Sequence, residues 1–342
     1  MQDRLSHLLN QKVTDIQKLF GDASYRTYHR IKTESGMMMI LMALPEGKMS
    51  VSEEITNVKE KPKELPFINV QRYLKSIGLP VPQIKLFSEE DRWLILEDLG
   101  DIKFFDVVFN AGKEKILDAY KKAIDLLVLL QNKTSKDMNT RAHQHTSTSC
   151  IAFHRSYDAT LFNWEFDHFW EYYVETRDHG PWTMDQKLFK EETRKITEEL
   201  CKLPQGFTHR DYQSRNLMAY KNIFYIIDFQ DALLGPKVYD LVCLLRDSYV
   251  DVTPYLKTLV DYYCEKSGQD PKKIWRAFDL QTVQRKLKDT GRFVFIDRVK
   301  KNPNFLHFIP TSMSYVKQAL ERLPEYRALH ELVNKLDKGE MR

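Results

Sequence analysis

Between Thr208 and Asp231 the chain reads THRDYQSRNLMAYKNIFYIIDFQD, so a His-x-Asp is followed five residues later by Asn216 and, after an apolar run, by Asp228-Phe229. Those types in that order meet the needs of γ-phosphoryl transfer: one carboxylate to take the proton of an attacking hydroxyl, and oxygen donors to hold magnesium ions against a triphosphate. Asp211 is the candidate base. Asn216 is the candidate ligand of one metal ion and Asp228 the principal ligand, bridging β- and γ-phosphate oxygens through magnesium. His209 and Arg210 read as braces of the loop. Surface turns also collect Asp, Asn and Ser, and an Ile-rich run is the mark of any core strand, but here residue types, order and intervals agree with one chemistry.

The elements around these residues follow from local pattern. A turn after Asp211 brings Asn216 back beside it, and Asn222 turns the chain into a strand from Ile223 to Asp228, so both acids face one cleft. Met1 to Phe20 interleaves Asp3, Arg4, His7, Lys12 and Asp15 with leucines, which predicts an amphipathic opening helix and not a targeting segment. Gly21-Asp22-Ala23-Ser24 then predicts a tight turn into strands at Tyr25 to Lys32 and Met37 to Ala43. Phe67 to Ile77 keeps helical apolar spacing, Gly78-Leu79-Pro80 stops it, and Ile84 to Phe87 with Trp93 to Leu96 read as a hairpin.

Beyond Asp98 the pattern turns helical, most clearly at Lys113 to Gln131, whose Ile116, Tyr120, Ala123, Ile124, Leu127 and Leu130 form one stripe. Asn132 to Ser149 reads as a polar loop in which His143 and His145 are solvated. Tyr157 to Tyr173 is dense in aromatics and acids; most of the rings read as core, and Asp158 and Glu165 are the candidates for an acceptor pocket. Asp240 opens a helix as a cap or a brace of the catalytic loop. Asp231 either supports Asp228 or faces the substrate. Helices near Gln281 to Asp289 and Met313 to Leu323 close the chain, with Gln284, Arg285 and Lys288 candidate contacts to an acceptor's carboxylate or phosphate.

The same stretches carry a resemblance. The catalytic segment, together with Gly21-Asp22-Ala23-Ser24-Tyr25-Arg26, Leu96-Glu97-Asp98-Leu99-Gly100, Gly235-Pro236, Tyr239-Asp240-Leu241, Leu244-Leu245-Arg246-Asp247 and Gln284-Arg285-Lys286-Leu287-Lys288, resembles the aminoglycoside phosphotransferase and choline kinase-like superfamily. More narrowly it looks like the bacterial anomeric sugar kinases acting on N-acetylmuramate and N-acetylglucosamine. The resemblance implies an α+β, bilobal protein-kinase-like fold: a small antiparallel-sheet N-lobe at 1–97 and a larger, mainly helical C-lobe at 98–342. It also implies ATP and Mg2+ as cofactors, a phosphate-covering loop at Ser24, a connector whose backbone at Glu97 and Leu99 meets adenine, and a small-molecule sugar as acceptor. Aminoglycoside, choline or another metabolite as acceptor, or a catalytically silent nucleotide-binding module, are the other readings.

The chain departs from the general kinase pattern in one place. The run Met37 to Ala43 holds no Lys for the α- and β-phosphates, so another cation must serve, and Arg26 is the nearest candidate, ahead of Arg30 and Lys32. After Asp228 there is no room for a switch loop, because Gly235-Pro236 and Tyr239-Asp240-Leu241 arrive within a dozen residues.

Composition excludes other classes. At 342 residues the chain buries a substantial core, and a net charge of +4 gives no reason to invoke nucleic acid. Cysteines at 150, 201, 243 and 264 are too scattered for a Cys-x-x-Cys site. The apolar run Leu126 to Leu130 is far short of the roughly 20 residues that span a bilayer. A cytoplasmic enzyme with no membrane partner is the expectation.

Overall fold

In the computed structural model, which describes residues 1–19, 26–45, 64–141, 150–176 and 183–337, the N-terminal part is built on an antiparallel five-stranded sheet. Helix α1 (Gln2–Leu9) ends at Asn10 in the left-handed conformation, and β1 (Val13–Leu19) follows. The opening helix is therefore shorter than its pattern predicts. Val13, Thr14 and Ile16 are β-branched, and residues 13–19 gain a full ladder against β2 (Thr27–Thr33), which outweighs their helical spacing.

The sheet continues through β3 (Met38–Ala43), β5 (Trp93–Glu97) and β4 (Ile84–Ser88), in the order β1-β2-β3-β5-β4. Alternation divides its two faces. Ile31, Met39, Leu41 and Ile95 pack with Leu5 of α1 in a small outer core, whereas Met42, Leu94 and Leu96 join the main core beneath. Helix α2 (Pro66–Ser76) lies in that main core through Phe67, Val70 and Leu74.

Leaving β5, the chain is held by one cation. Arg30, on the inner face in register with Ile40 and Leu96, bonds Asp98 at 2.7 Å and reaches Asp101 at 2.8 Å. It thus ties the second strand to the connector. Helices α3 (Phe104–Val108) and α4 (Lys113–Arg141) follow, and α4 buries Tyr120, Ala123, Ile124, Leu127 and Leu130 along one stripe. The helix runs through residues 132–141, where a loop is expected from composition. Thr134 and Ser135 bond the carbonyls one turn back, so these polar residues are accommodated within the helix. His143 and His145 lie outside the described residues.

The remainder is mainly helical: α5 (Ala159–Phe169), α6 (Thr183–Lys202), α7 (Tyr239–Leu245), α8 (Leu256–Ser267), α9 (Pro271–Lys300), α10 (Ile309–Glu321) and α11 (Arg327–Asp337). The helix expected to be last, α10, is followed by α11, whose Leu329, Leu332, Val333 and Leu336 extend the core. Two short ladders sit between α6 and α7: β6 (Gln205–Thr208) with β9 (Leu233–Pro236), and the hairpin β7 (Leu217–Tyr220) with β8 (Ile223–Ile226). Helix α9 is the axis of this part. Asp270 caps it, Pro271 starts it, and Gly291 lets it press on α5, because a Cβ there would lie 2.7 Å from the His168 carbonyl oxygen. No helix among the described residues is long and apolar enough to cross a membrane.

Candidate active site

The two short ladders deliver the segment that carries the candidate catalytic residues. Strand β6 ends at Thr208, pressed so closely on β9 that a Cβ on Gly235 would meet Thr208 Oγ1 at 2.9 Å. Beyond it Arg210 takes φ 77° and the chain curls, with Gln213 N–H and Asn216 Nδ2 both donating to the Asp211 carbonyl at 2.9 Å. The β7–β8 hairpin closes over Lys221 and Asn222, both at positive φ, in the primed turn whose twist suits two strands. Asp228 then follows at φ 64°. Left-handed conformations cost a non-glycine residue of order 1–2 kcal/mol; of these four, Arg210 directly precedes Asp211 and the fourth is Asp228 itself, so two of them orient the candidate acids.

Buried carboxylates hold the loop at either end. Asp240 accepts from the His209 and Arg210 amides at 2.7 and 3.0 Å, and Asp247 accepts from the Ser214 and Tyr249 amides at 2.9 and 3.0 Å. Burial pushes Asp240 up to about 6 even though His209 and those two amides favour its charge. Strand β8 stops at Ile226, short of the expected Asp228, and His209 joins the loop to the residues after it: its Nδ1 accepts from the Asp211 amide at 3.2 Å, so Nε2 carries the proton and donates to the Ile227 carbonyl at 2.9 Å.

Beneath Asp211 lies a buried polar network. Arg285 Nη2 donates to Asp211 Oδ1 at 2.7 Å and Arg285 Nη1 to the Tyr239 hydroxyl at 3.0 Å; that hydroxyl is 2.8 Å from the Tyr157 hydroxyl. Tyr157 donates to Glu165 at 3.1 Å, and Arg210 and Gln284 complete the set, donating to Glu165 at 3.2 and 2.6 Å. Burial alone would raise the Asp211 carboxyl, but Arg285, aided by Lys288 and Arg210, holds it well below the ordinary carboxylate range. It is therefore ionised, with its side chain still 36% exposed toward the cleft.

Asp228 is in the opposite electrostatic situation. Burial, with Asp211 and Asp231 adding repulsion, raises it, while a hydrogen bond from Gln230 at 2.9 Å and Arg26 at 3.9 Å offset part of that. Asp211, Asp228 and the Asn216 amide oxygen are hard oxygen donors around a surplus of negative charge. That donor chemistry fits magnesium, which takes one or two protein carboxylates and leaves its other positions to phosphate and water. Phe229 anchors the segment by packing on Phe67 of α2 at 4.9 Å between ring centroids.

The candidates read from sequence are distributed unevenly. Asp211, Asn216, Asp228 and Arg26 converge, with His209, Arg210, Asp240 and Arg285 around them. Ser24 lies outside the described residues. Leu99 is buried, and the Glu97 carboxylate accepts from the Gln83 amide at 3.1 Å. Glu165 does not line an acceptor pocket: it is wholly buried, because Arg210, Tyr157 and Gln284 all require it as acceptor. Asp158 has a local structural role, its carboxylate capping α5 by accepting from the Leu161 amide at 2.8 Å.

The network adds residues that motif reading left without a role, Asp247, Asp289 and Tyr157, and it turns Gln284, expected near the acceptor, onto Glu165. Asp289 is paired with Lys286 at 2.8 Å and with Arg285 Nε at 3.3 Å, four residues earlier on the same helix. That i,i+4 spacing was the available signal. Asp247, an acid just beyond the fully buried helix α7, needed buried donors and found the Ser214 and Tyr249 amides. Replacing Glu165 with Ala is expected to destabilise the protein by about 3–5 kcal/mol, because it leaves the Arg210 charge buried and unpaired; urea denaturation measures this, and Glu165→Gln should cost less.

Comparison with known proteins fits this geometry. The model of the phosphotransferase enzyme family matches residues 15–278. The chain is 28% identical to an N-acetylmuramate/N-acetylglucosamine kinase of Pseudomonas aeruginosa, across 93% of this chain and 88% of that one, and 29% identical to one from Pseudomonas putida, across 93% and 87%. Its fold is similar to that of the choline kinase LicA from Streptococcus pneumoniae (TM-score 0.58, 15% identity, 95% and 98% of the two chains). It is also similar to the ADP-bound aminoglycoside phosphotransferase APH(2'')-Ib (TM-score 0.52, 15% identity, 92% and 95%). The fold is thus the bilobal α+β kinase-like architecture, and the chain belongs to the phosphotransferase enzyme family, as an enzyme that transfers phosphoryl groups to an alcohol.

Proposed function

We propose that this enzyme phosphorylates the anomeric hydroxyl of a free amino sugar, N-acetylmuramate or N-acetylglucosamine, from ATP. The observation that carries the reading is Asp211, ionised, partly exposed and fixed by Arg285 in the same cleft as Asp228. Relatives named as kinases of these two sugars align over more than nine-tenths of the chain, which supports the choice of sugar.

In this reading residues 1–97 cover the nucleotide, and residues 98–342 carry the catalytic loop and the acceptor. Asp211 accepts the hydrogen bond of the sugar hydroxyl, aims its oxygen at the γ-phosphorus and takes the proton as the bond forms. A carboxylate held at low pKa is a weak base. A loose phosphoryl-transfer transition state asks for positioning more than for early deprotonation, so orientation is the larger part of its contribution. Arg285 and the tyrosine pair keep Asp211 in its rotamer. Asp228 and Asn216 would hold magnesium, which when bound neutralises charge on the transferring phosphoryl group. Arg26, beside Asp228, is the cation proposed to meet phosphate in place of the missing strand Lys.

An ADP-release assay across N-acetylmuramate, N-acetylglucosamine, choline and kanamycin tests the acceptor, with the 1-O-methyl glycoside of each active sugar as control. Turnover on a free amino sugar that vanishes with its glycoside is the expected result. Turnover only on choline or kanamycin would keep the mechanism and remove the sugar.

A further inference from the structure

Helix α9 carries a second basic residue into the site, one turn beyond Arg285. The acids near it are already engaged: Asp211 by Arg285, Asp289 by Lys286 and Arg285, and Glu165 by Arg210, Tyr157 and Gln284. The Lys288 ammonium comes no closer than 3.8 Å to Asp289, and among the described residues it donates no hydrogen bond. Its side chain is only 17% exposed. A largely buried side chain whose ammonium keeps its hydrogen-bond donors uncommitted offers a bound anion a charged partner.

The surroundings narrow what that anion belongs to. Lys288 lies three residues after Arg285, which bonds Asp211, and three before Gly291, which seats on the His168 backbone, so helical spacing puts it between the candidate catalytic carboxylate and a row of rings, and its charge lowers both Asp211 and His168. Trp164 and His168 lie 5.3 Å apart, His168 and Tyr172 4.6 Å, and Tyr172 and Phe295 5.1 Å, with the Arg292 guanidinium 4.6 Å over Phe295. His168 is buried in this row, and Trp164, Tyr172 and Phe295 are partly exposed. Gly291 fixes the arrangement by seating α9 directly on the backbone of α5 at His168 and Phe169. A cation beside such a row, next to the group that receives the acceptor hydroxyl, suits an acceptor with an apolar ring face and a negatively charged substituent.

We infer that Lys288 binds the carboxylate of an acidic sugar acceptor and so sets the preference for N-acetylmuramate over neutral N-acetylglucosamine. The inference rests on the proposed amino-sugar activity and deepens it.

The test compares kcat/KM for the two sugars in the wild-type enzyme, Lys288→Met and Lys288→Arg. The ratio of acidic to neutral sugar is expected to fall roughly 10- to 100-fold in Lys288→Met, the worth of one charged hydrogen bond, and to be largely kept in Lys288→Arg. A measurement on wild-type enzyme alone guards against a misfolded variant: the methyl ester of N-acetylmuramate should lose the same factor. An unchanged ratio in Lys288→Met, or an ester as good as the acid, overturns the inference. So does an equal loss on both sugars with a raised KM for ATP, which would put Lys288 on the donor phosphate. Wild-type enzyme inactive on both sugars is the separate signature that the proposed function itself has failed.

Discussion

In an Asp211→Asn enzyme, kcat is expected to fall by roughly 10²–10⁴-fold while affinity for ATP stays near that of the wild type. Asn keeps the shape and can still accept a hydrogen bond, but it cannot take the proton, and it gives up the ion pair with Arg285 that fixes the side chain. The residues proposed to meet nucleotide and magnesium, Arg26, Asn216 and Asp228, are unchanged, so binding should be spared. The wild-type pH profile carries a related expectation. Because Arg285 outweighs burial and holds Asp211 below the usual range, the carboxylate is ionised throughout pH 5–9 and contributes no acid limb to kcat there. In Arg285→Met a limb should move up toward the ordinary carboxylate value of about 4 or beyond. Steady-state kinetics with nucleotide titration measures both. Near-normal turnover in Asp211→Asn would remove this residue from the chemistry.

Asp228→Asn separates activity from stability. Loss of the principal carboxylate donor is expected to lower kcat by roughly 10³-fold or more, corresponding to several kcal/mol of lost charge stabilisation, and to weaken nucleotide binding in the presence of magnesium. The folded protein should nevertheless be at least as stable. Burial and the neighbouring Asp211 and Asp231 raise this carboxyl, so its ionised form is disfavoured in the folded state at every pH above its ordinary value, and a neutral amide removes that cost. Asn is also among the residues that best tolerate φ 64°. A stable, inactive protein is thus the predicted phenotype. Thermal denaturation without nucleotide, set beside turnover, measures it, and a marked loss of stability would mean that Asp228 serves the fold and not a metal ion.

The catalytic loop was legible because its chemistry is local. Asp211, Asn216 and Asp228 lie within 18 residues of one another, and the turn at Asn222 is written in residues with a known backbone preference. The strands were legible where alternation or a short apolar run ends in turn residues, as in β2, β3, β4 and β5. Residues 13–19 were misread because helical spacing and β-branching conflict there, and only the ladder with β2 decides between them. Glu165 was the larger misreading. Nothing near Glu165 in sequence indicates that Arg210, 45 residues on, and Gln284, 119 residues on, converge on its carboxylate. An acid among aromatics looks the same whether it faces a sugar or an arginine. Asp158 did carry a local sign, because an Asp directly before the apolar-periodic helix Ala159–Phe169 stands where an N-cap belongs.

The position of the transferred phosphate tests the central claim most directly. After incubation with ATP, magnesium and N-acetylmuramate or N-acetylglucosamine, phosphorus and proton NMR of the product should show phosphorus coupled to the anomeric proton, the signature of a sugar 1-phosphate. Phosphorus coupled instead to the protons on carbon 6, or no phosphorylated sugar under conditions where another alcohol is phosphorylated, would contradict the account.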